Sequence, residues 1–194
     1  MIYALMAVCF LIGSIPTGLL IAKSKGLDLR KVGSGNIGAT NVLRALGRKE
    51  AILTLLGDIG KGAMAVALAK AFSFDVMDAG LAGLAAILGH NFSIFLKLKG
   101  GKGVATSLGV LLVYSPFVGL CTIILWLLTA KLTRYSSLSA LVAFGLLPLS
   151  FYLIDPVQEK IMIAVFITVM LYIRHIANIQ RLIKGEESRI GLKG

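Results

Sequence analysis

Two glycine-rich stretches bearing fixed cations lie between long apolar runs: GSGNIGATNVLR at 33–44 and GHNFSIFLKLKGGKGVATS at 89–107. Each offers glycines, small hydroxyl or amide side chains and a basic residue, and each contains an Ala-Thr pair opening an apolar segment. Backbone N–H groups left uncovered by glycine, next to a helix N-terminus, form a cradle for a phosphate-like anion. Two such cradles on one side of a membrane fit an enzyme that handles two phosphorylated substrates.

The second stretch is the more specific. GGKG at 100–103 sets Lys102 between Gly101 and Gly103, just before the helix that Val104-Ala105-Thr106 opens. A lysine held in a glycine turn at a helix start is an anion site in charge and in geometry. The competing reading is a lysine that snorkels to lipid headgroups, the role expected of Lys97 and Lys99. In the first stretch GSGNIG matches G-x-G-x-x-G, and Asp58 falls twenty residues after Gly38. A dinucleotide site would need a buried strand and a βαβ unit around it, and neither is present in this sequence. A Walker loop fails as well, because neither Lys61 nor Lys102 has the required earlier glycine. An anion cradle and a flexible turn both remain open for residues 33–38.

Other polar groups stand in apolar surroundings. Asp58 and Lys61, three apart in GDIGKG, share a helix face, so they form a structural ion pair or place Lys61 against a phosphate. His90 and His175 end two apolar runs, each near an asparagine, Asn91 and Asn178. They read as packed hydrogen-bonding residues or as site residues. Ser136, Ser137 and Ser139 follow Arg134, and capping is the default reading for at least one of them. No His-Glu-x-x-His pattern, acidic cluster or cysteine ligand set is present, so no metal and no cofactor is expected.

The elements that must position these groups are membrane helices. Of 194 residues 57% are hydrophobic and 15% charged, and the mean hydropathy is +0.90, far from soluble averages. The net charge of +11 comes from basic residues scattered between apolar runs, not from a continuous basic face, which excludes a nucleic-acid binder. Cys9 and Cys121 lie inside apolar runs and read as free thiols. The first 22 residues carry no charged side chain and their cations, Lys23 and Lys25, follow, which predicts a first transmembrane helix over 2–22 and no targeting peptide. Further spans are predicted at 52–74, 78–96, 104–118, 117–131, 138–154 and 160–176, with a proline turn at Tyr114-Ser115-Pro116.

With the N-terminus outside, the inner segments collect Lys23, Lys25, Arg30, Lys31, Arg44, Arg48, Lys49, Lys97, Lys99, Lys102, Lys131 and Arg134. The tail adds Arg174, Arg181, Lys184, Arg189 and Lys193, whereas the outer side holds only Lys70 and Lys160 beside four acids. This positive-inside bias predicts an all-α membrane protein, one domain over 1–194, with seven transmembrane helices, N-terminus outside and C-terminus cytoplasmic. Every motif then faces the cytoplasm. Between 23 and 51, the pattern at 41–46 predicts a short amphipathic interfacial helix.

Taken together, GSGNIGATNVLR, GDIGKG, GHNFSIFLKLKGGKGVATS, YSSLSA and RHIANIQRLIKGEE resemble the acyl-phosphate-dependent glycerol-3-phosphate acyltransferase family of bacterial membranes. The resemblance covers nearly the whole chain. In the tail the family often carries Gly-Thr-Glu where this chain has Gly185-Glu186-Glu187, so only Glu187 carries over. The resemblance implies transfer of a fatty acyl group from acyl phosphate to the 1-hydroxyl of sn-glycerol 3-phosphate, giving lysophosphatidic acid and phosphate in the bacterial inner membrane. The chain lacks the His-x4-Asp pair of other acyltransferases: Phe95 and Gln180 stand where the aspartate would. Acyl phosphate carries its own leaving group, so no covalent acyl-enzyme is required, and holding two anions together is the harder task.

The resemblance implies Ser34, Gly35, Asn36, Asn41, Arg44, Lys61, His90, Gly101, Lys102, Gly103, Ser139, His175 and Asn178 as substrate-binding residues, with Arg44, Lys102 and His175 as the catalytic ones. The expected partners are acyl phosphate, glycerol 3-phosphate and membrane lipid, with no obligate protein partner. Neither histidine has a carboxylate nearby in sequence, which leaves a substrate phosphate as the expected proton acceptor. A metabolite transporter would want polar residues at mid-membrane, and an alcohol phosphotransferase a carboxylate cluster; both fit less well.

Overall fold

A computed structural model describes residues 1–190; Lys193 of the basic tail lies outside them, as does the end of the predicted 1–194 domain. The described residues form helices, two short 3-10 turns and connecting loops. In order these are α1 (Ile2–Ser14), α2 (Thr17–Ser24), α3 (Ala39–Leu46), α4 (Arg48–Ala71), α5 (Val76–Asn91), α6 (Val104–Tyr114), α7 (Pro116–Thr133), α8 (Ser136–Gly145), α9 (Leu147–Ile154), α10 (Gln158–Arg174) and α11 (Ile176–Ile183).

Four helical runs are long and apolar enough to cross a membrane: 2–24, 48–71, 76–96 and 116–133. The bent pairs α8–α9 and α10–α11 bring the number to six, and α6 is a shorter apolar helix. The chain is thus an all-helical, multi-pass membrane protein. Its outer shell is correspondingly apolar, with Leu120, Ile124, Leu128, Phe166 and Val169 each about half exposed or more.

Several expected single spans are broken, and the cause is local. Pro16 interrupts the first, because it has no N–H to give the helix ladder. The polar groups freed there are recaptured from elsewhere in the bundle: Lys61 Nζ donates to the Ile15 carbonyl at 3.1 Å, and the Ser93 hydroxyl to the Ser14 carbonyl. Non-helical backbone at membrane depth is tolerated only when it is re-satisfied in this way. Pro148 accompanies the 40° bend between α8 and α9, and α10 turns by 60° into α11 at His175. Pro116 opens α7 directly, so the turn before it is reduced to Ser115. The short amphipathic helix expected at 41–46 forms as α3, ended at Gly47, whose φ of +99° favours glycine.

The core is built on close backbone contact. A Cβ at Gly13 would run into the Ala86 carbonyl and one at Gly89 into that of Phe10, so α1 and α5 touch through both glycines. Gly62 and Gly109 do the same between α4 and α6, against the carbonyls of Thr106 and Ile59. Without a hydrophobic gradient in lipid, such small-residue crossings are what hold helices together. They also fix the depth of α6 and hence of the loop before it.

Gly109→Val should therefore lower the melting temperature in detergent by about 2–12 °C, since overpacking costs about 1–3 kcal/mol and each is about 2–4 °C at this size. Gly60→Ala is the control: that glycine meets nothing within 4 Å, and the variant should melt at or slightly above wild type.

Candidate functional site

The two glycine-rich loops of the sequence meet at one cavity of about 490 Å³ bounded by α3, α4, α6, α7, α8 and the α10–α11 bend. Its polar end is lined by Ser34, Asn36, Asn41, Arg44, Lys102, Gly103, His175 and Asn178, contributed from three separate parts of the chain. The other end is apolar, formed by Ile52 and Leu55 of α4, Leu108 of α6 and Trp126 and Leu127 of α7. Ile52 and Leu127 are both 55% exposed, so this wall opens onto the lipid-facing shell between α4 and α7.

The first loop is shaped from within by Asn41. Its Nδ2 donates to the carbonyls of Asn36 (2.8 Å), Val32 (3.1 Å) and Leu29 (3.2 Å), while its Oδ1 accepts from Ser34 N–H. A buried amide with every polar atom engaged is a scaffold, and here it presents Ser34 and Asn36 to the cavity. Gly35, at φ +68°, completes the turn without reaching the cavity wall.

Lys102 reaches the cavity from the second loop, and Gly103 (φ +83°) starts α6 beside it. Its ammonium donates to Asn178 Oδ1. Asn178 Nδ2 donates in turn to Glu187 Oε1 at 2.6 Å, Ser137 donates to the same oxygen at 2.7 Å, and Arg181 Nε donates to Oε2 at 2.7 Å. Burial pushes the Glu187 carboxyl up, but these three donors and the Arg181 charge outweigh it and hold the group below its ordinary range. Lys102 is also lowered from its ordinary value, and strongly. Burial is the main cause; the Glu187 charge opposes it, and Arg181, Arg174 and Arg44 add to it, leaving the ammonium with a pKa of about 8.

Arg44 approaches from α3. Its Nη2 donates to the Ser188 and Arg189 carbonyls of the tail at 3.1 and 3.4 Å, and its buried Nε has no protein partner among the described residues. His175 is buried and its Nδ1 lies 2.8 Å from the Leu171 carbonyl. A carbonyl can only accept, so Nδ1 carries the proton and Nε2 of the neutral ring is an acceptor.

Four of the expected residues are placed differently. Lys61 does not line the cavity: its ammonium pairs with Asp58 at 2.8 Å and donates to the Ile15 carbonyl at 3.1 Å. Ser139 is fully buried, its hydroxyl returned to the Tyr135 carbonyl at 2.7 Å. Gly101 and Gly35 shape their loops from behind the cavity wall. His90 lines the cavity, and, against expectation, it has a carboxylate beside it: Asp58 Oδ1 lies 3.6 Å from His90 Nδ1. Thirty-two residues separate the two in sequence, so only the α4–α5 packing brings them together. Glu187, Arg181 and Ser137 are among the cavity residues that sequence reasoning did not place there; Glu187 carried a signal only through the tail motif. Among the described residues no three of His, Cys, Asp and Glu gather as a metal site would require.

This geometry has close counterparts. The profile of the glycerol-3-phosphate acyltransferase family matches residues 3–185. The chain belongs to that family. A glycerol-3-phosphate acyltransferase of Sinorhizobium fredii is 50% identical over 191 residues, covering 97% of this chain and 92% of its own. One of Geobacter sulfurreducens is 45% identical, with 95% of each chain covered. The fold matches crystal structures of PlsY (YgiH), an integral membrane glycerol 3-phosphate acyltransferase. The glycerol 3-phosphate form gives a TM-score of 0.93 at 41% identity, over 98% of this chain and 96% of the other. The lysophosphatidic acid form gives 0.91 at 40%, over 98% and 95%.

If the Lys102 ammonium binds substrate anion, kcat/KM should fall as pH rises through about 8, because the charged form is lost there. Lys102→Arg should remove that limb, since guanidinium stays charged. Lys102→Ala should lower kcat/KM about tenfold to a hundredfold or more, matching the loss of a charged interaction of about 1.5–3 kcal/mol. Lys97→Ala, outside the cavity, should be mild. A Lys102→Ala variant with wild-type kinetics would return the residue to a headgroup anchor.

Proposed function

We propose that the protein transfers a fatty acyl group from acyl phosphate to the 1-hydroxyl of sn-glycerol 3-phosphate, releasing lysophosphatidic acid and phosphate. The observation that carries this reading is a single cavity joining a cationic, amide-rich end to an apolar wall open toward lipid. One end suits two phosphate groups and the other an acyl chain. The relatives' glycerol 3-phosphate and lysophosphatidic acid forms support the acceptor and the product.

In this reading Arg44, Lys102 and the free N–H groups before α6 hold the two anions, and Ser34, Asn36 and Asn178 orient hydroxyl and phosphate oxygens. His175 Nε2 accepts the hydrogen bond of a substrate hydroxyl. The glycerol 1-hydroxyl attacks the acyl carbon, the carbon–oxygen bond to phosphate breaks, and phosphate leaves with its electron pair. No covalent acyl-enzyme is formed: among the described residues no serine or cysteine hydrogen-bonds to either histidine. The hydroxyl proton passes to a substrate phosphate, whose second ionisation lies near pH 6. His90 is a poor alternative as base, because a Cβ on Gly101 would run into its Nε2, which is thus covered by the loop backbone. The cavity faces the cytoplasm of a bacterial inner membrane, in a seven-span topology with the N-terminus outside and α6 as the short span.

Purified protein with glycerol 3-phosphate should release phosphate with acyl phosphate and not turn over with acyl-CoA, and chelator should leave the rate unchanged. Turnover with acyl-CoA alone, or a rate abolished by EDTA and restored by a divalent ion, would overturn the donor and the metal-free mechanism respectively.

His175→Asn keeps a polar group while removing any base. It should weaken binding and retain appreciable kcat, against the hundredfold to ten-thousandfold, roughly, that a general base contributes. A ten-thousandfold loss in kcat at unchanged KM for both substrates would make His175 the base.

A further inference from the structure

Arg174, the last residue of α10, is absent from the cavity wall, yet it holds the Lys102 loop from behind. Its Nε donates to the Gly101 carbonyl at 3.1 Å, and its Nη2 donates to Gly101 at 2.9 Å and Gly100 at 3.2 Å. The guanidinium also sits over the Phe92 ring, 5.3 Å from its centroid, which fixes the plane of the fork. On the opposite side the same glycines are tied to α5, since Gly100 N–H donates to the Asn91 carbonyl at 3.2 Å and Gly101 N–H to that of His90 at 3.0 Å.

The consequence lies in the next peptide. A trans peptide places its N–H opposite its C=O, and the described chain has no cis bonds. With the Gly101 carbonyl turned onto Arg174, the Lys102 N–H points away from it. Neither Lys102 N–H nor Gly103 N–H has an acceptor among the described residues. Both residues line the cavity.

We propose that Arg174 is a positioning residue: by gripping two consecutive glycine carbonyls it turns the Lys102 and Gly103 N–H groups and the Lys102 side chain toward the substrate phosphates. One residue further on, the chain places His175 in the same cavity, so the end of α10 sets both walls at once. This role rests on the acyl-transfer reading of the site. A lysine cannot replace the residue, because a point charge does not span two carbonyls in a fixed plane.

Arg174→Lys and Arg174→Ala in the full-length protein test this, with three readouts: kcat/KM for both substrates, the thermal shift given by glycerol 3-phosphate without donor, and the pH profile. Both variants should lose about tenfold to a hundredfold in kcat/KM and most of the thermal shift, with Arg174→Lys melting close to wild type. In Arg174→Ala the alkaline limb near pH 8 should move upward, because one cation near Lys102 is gone; in Arg174→Lys it should stay. Should Arg174→Ala fail to fold, Arg174→Lys decides alone: wild-type kcat/KM in that folded variant overturns the proposal. So does a loss in both variants that only tracks melting temperature, with no movement of the limb. If the wild-type protein turns over no acyl donor, the acyl-transfer reading falls instead, and the glycerol 3-phosphate shift still compares the variants.

Discussion

Arg44, Lys102 and Arg181 crowd one cavity beside an apolar wall, and their mutual repulsion is what the surrounding structure has to hold in check. Like charges this close are costly where water is scarce. The molecule offsets the cost with one carboxylate. Glu187 takes donors from Ser137, Asn178 and Arg181 and lies close enough to support the Lys102 charge. A fully partnered network of this kind is rigid, and it leaves Lys102 charged but under-compensated. Such an ammonium is well suited to an arriving anion, which completes the neutralisation that Glu187 begins.

The same restraint explains why the scaffold is so tightly built. The GGKG loop is clasped between α5 and Arg174, and α6 behind it cannot shift while Gly62 and Gly109 keep it in backbone contact with α4. Asn41 performs the equivalent task for the first loop, at the cost of being unavailable to substrate through any free polar atom. Rigid supports that hold charged side chains and N–H groups in place are what pre-organised electrostatic stabilisation requires.

Much of this was legible in the sequence, and what was not has a common physical reason. Hydropathy located every apolar run, the spacing at 41–46 located α3, and GGKG announced a cation at a helix start. These are local signals, carried by neighbouring residues. The proximity of Asp58 to His90, the grip of Arg174 on residues 100–101, and the meeting of Glu187 with Ser137 depend on helix crossings between residues far apart in the chain. No local pattern encodes them. The helix expected over 2–22 is broken at Pro16, and the break is held by Lys61 and Ser93, which cap it from other helices. For the same reason the sequence could not show that Lys61 is engaged by Asp58 and Ile15, and Ser139 by Tyr135.

The tail has one more consequence. Glu187 closes the polar network, the Ser188 and Arg189 carbonyls hold Arg44, and Ile190 N–H donates to the Arg134 carbonyl at 2.7 Å, all from residues that follow the last helix. The helical bundle and the charge balance of its cavity are thus supplied by different parts of the chain: without the residues after α11 the basic side chains of the cavity would face one another without their carboxylate.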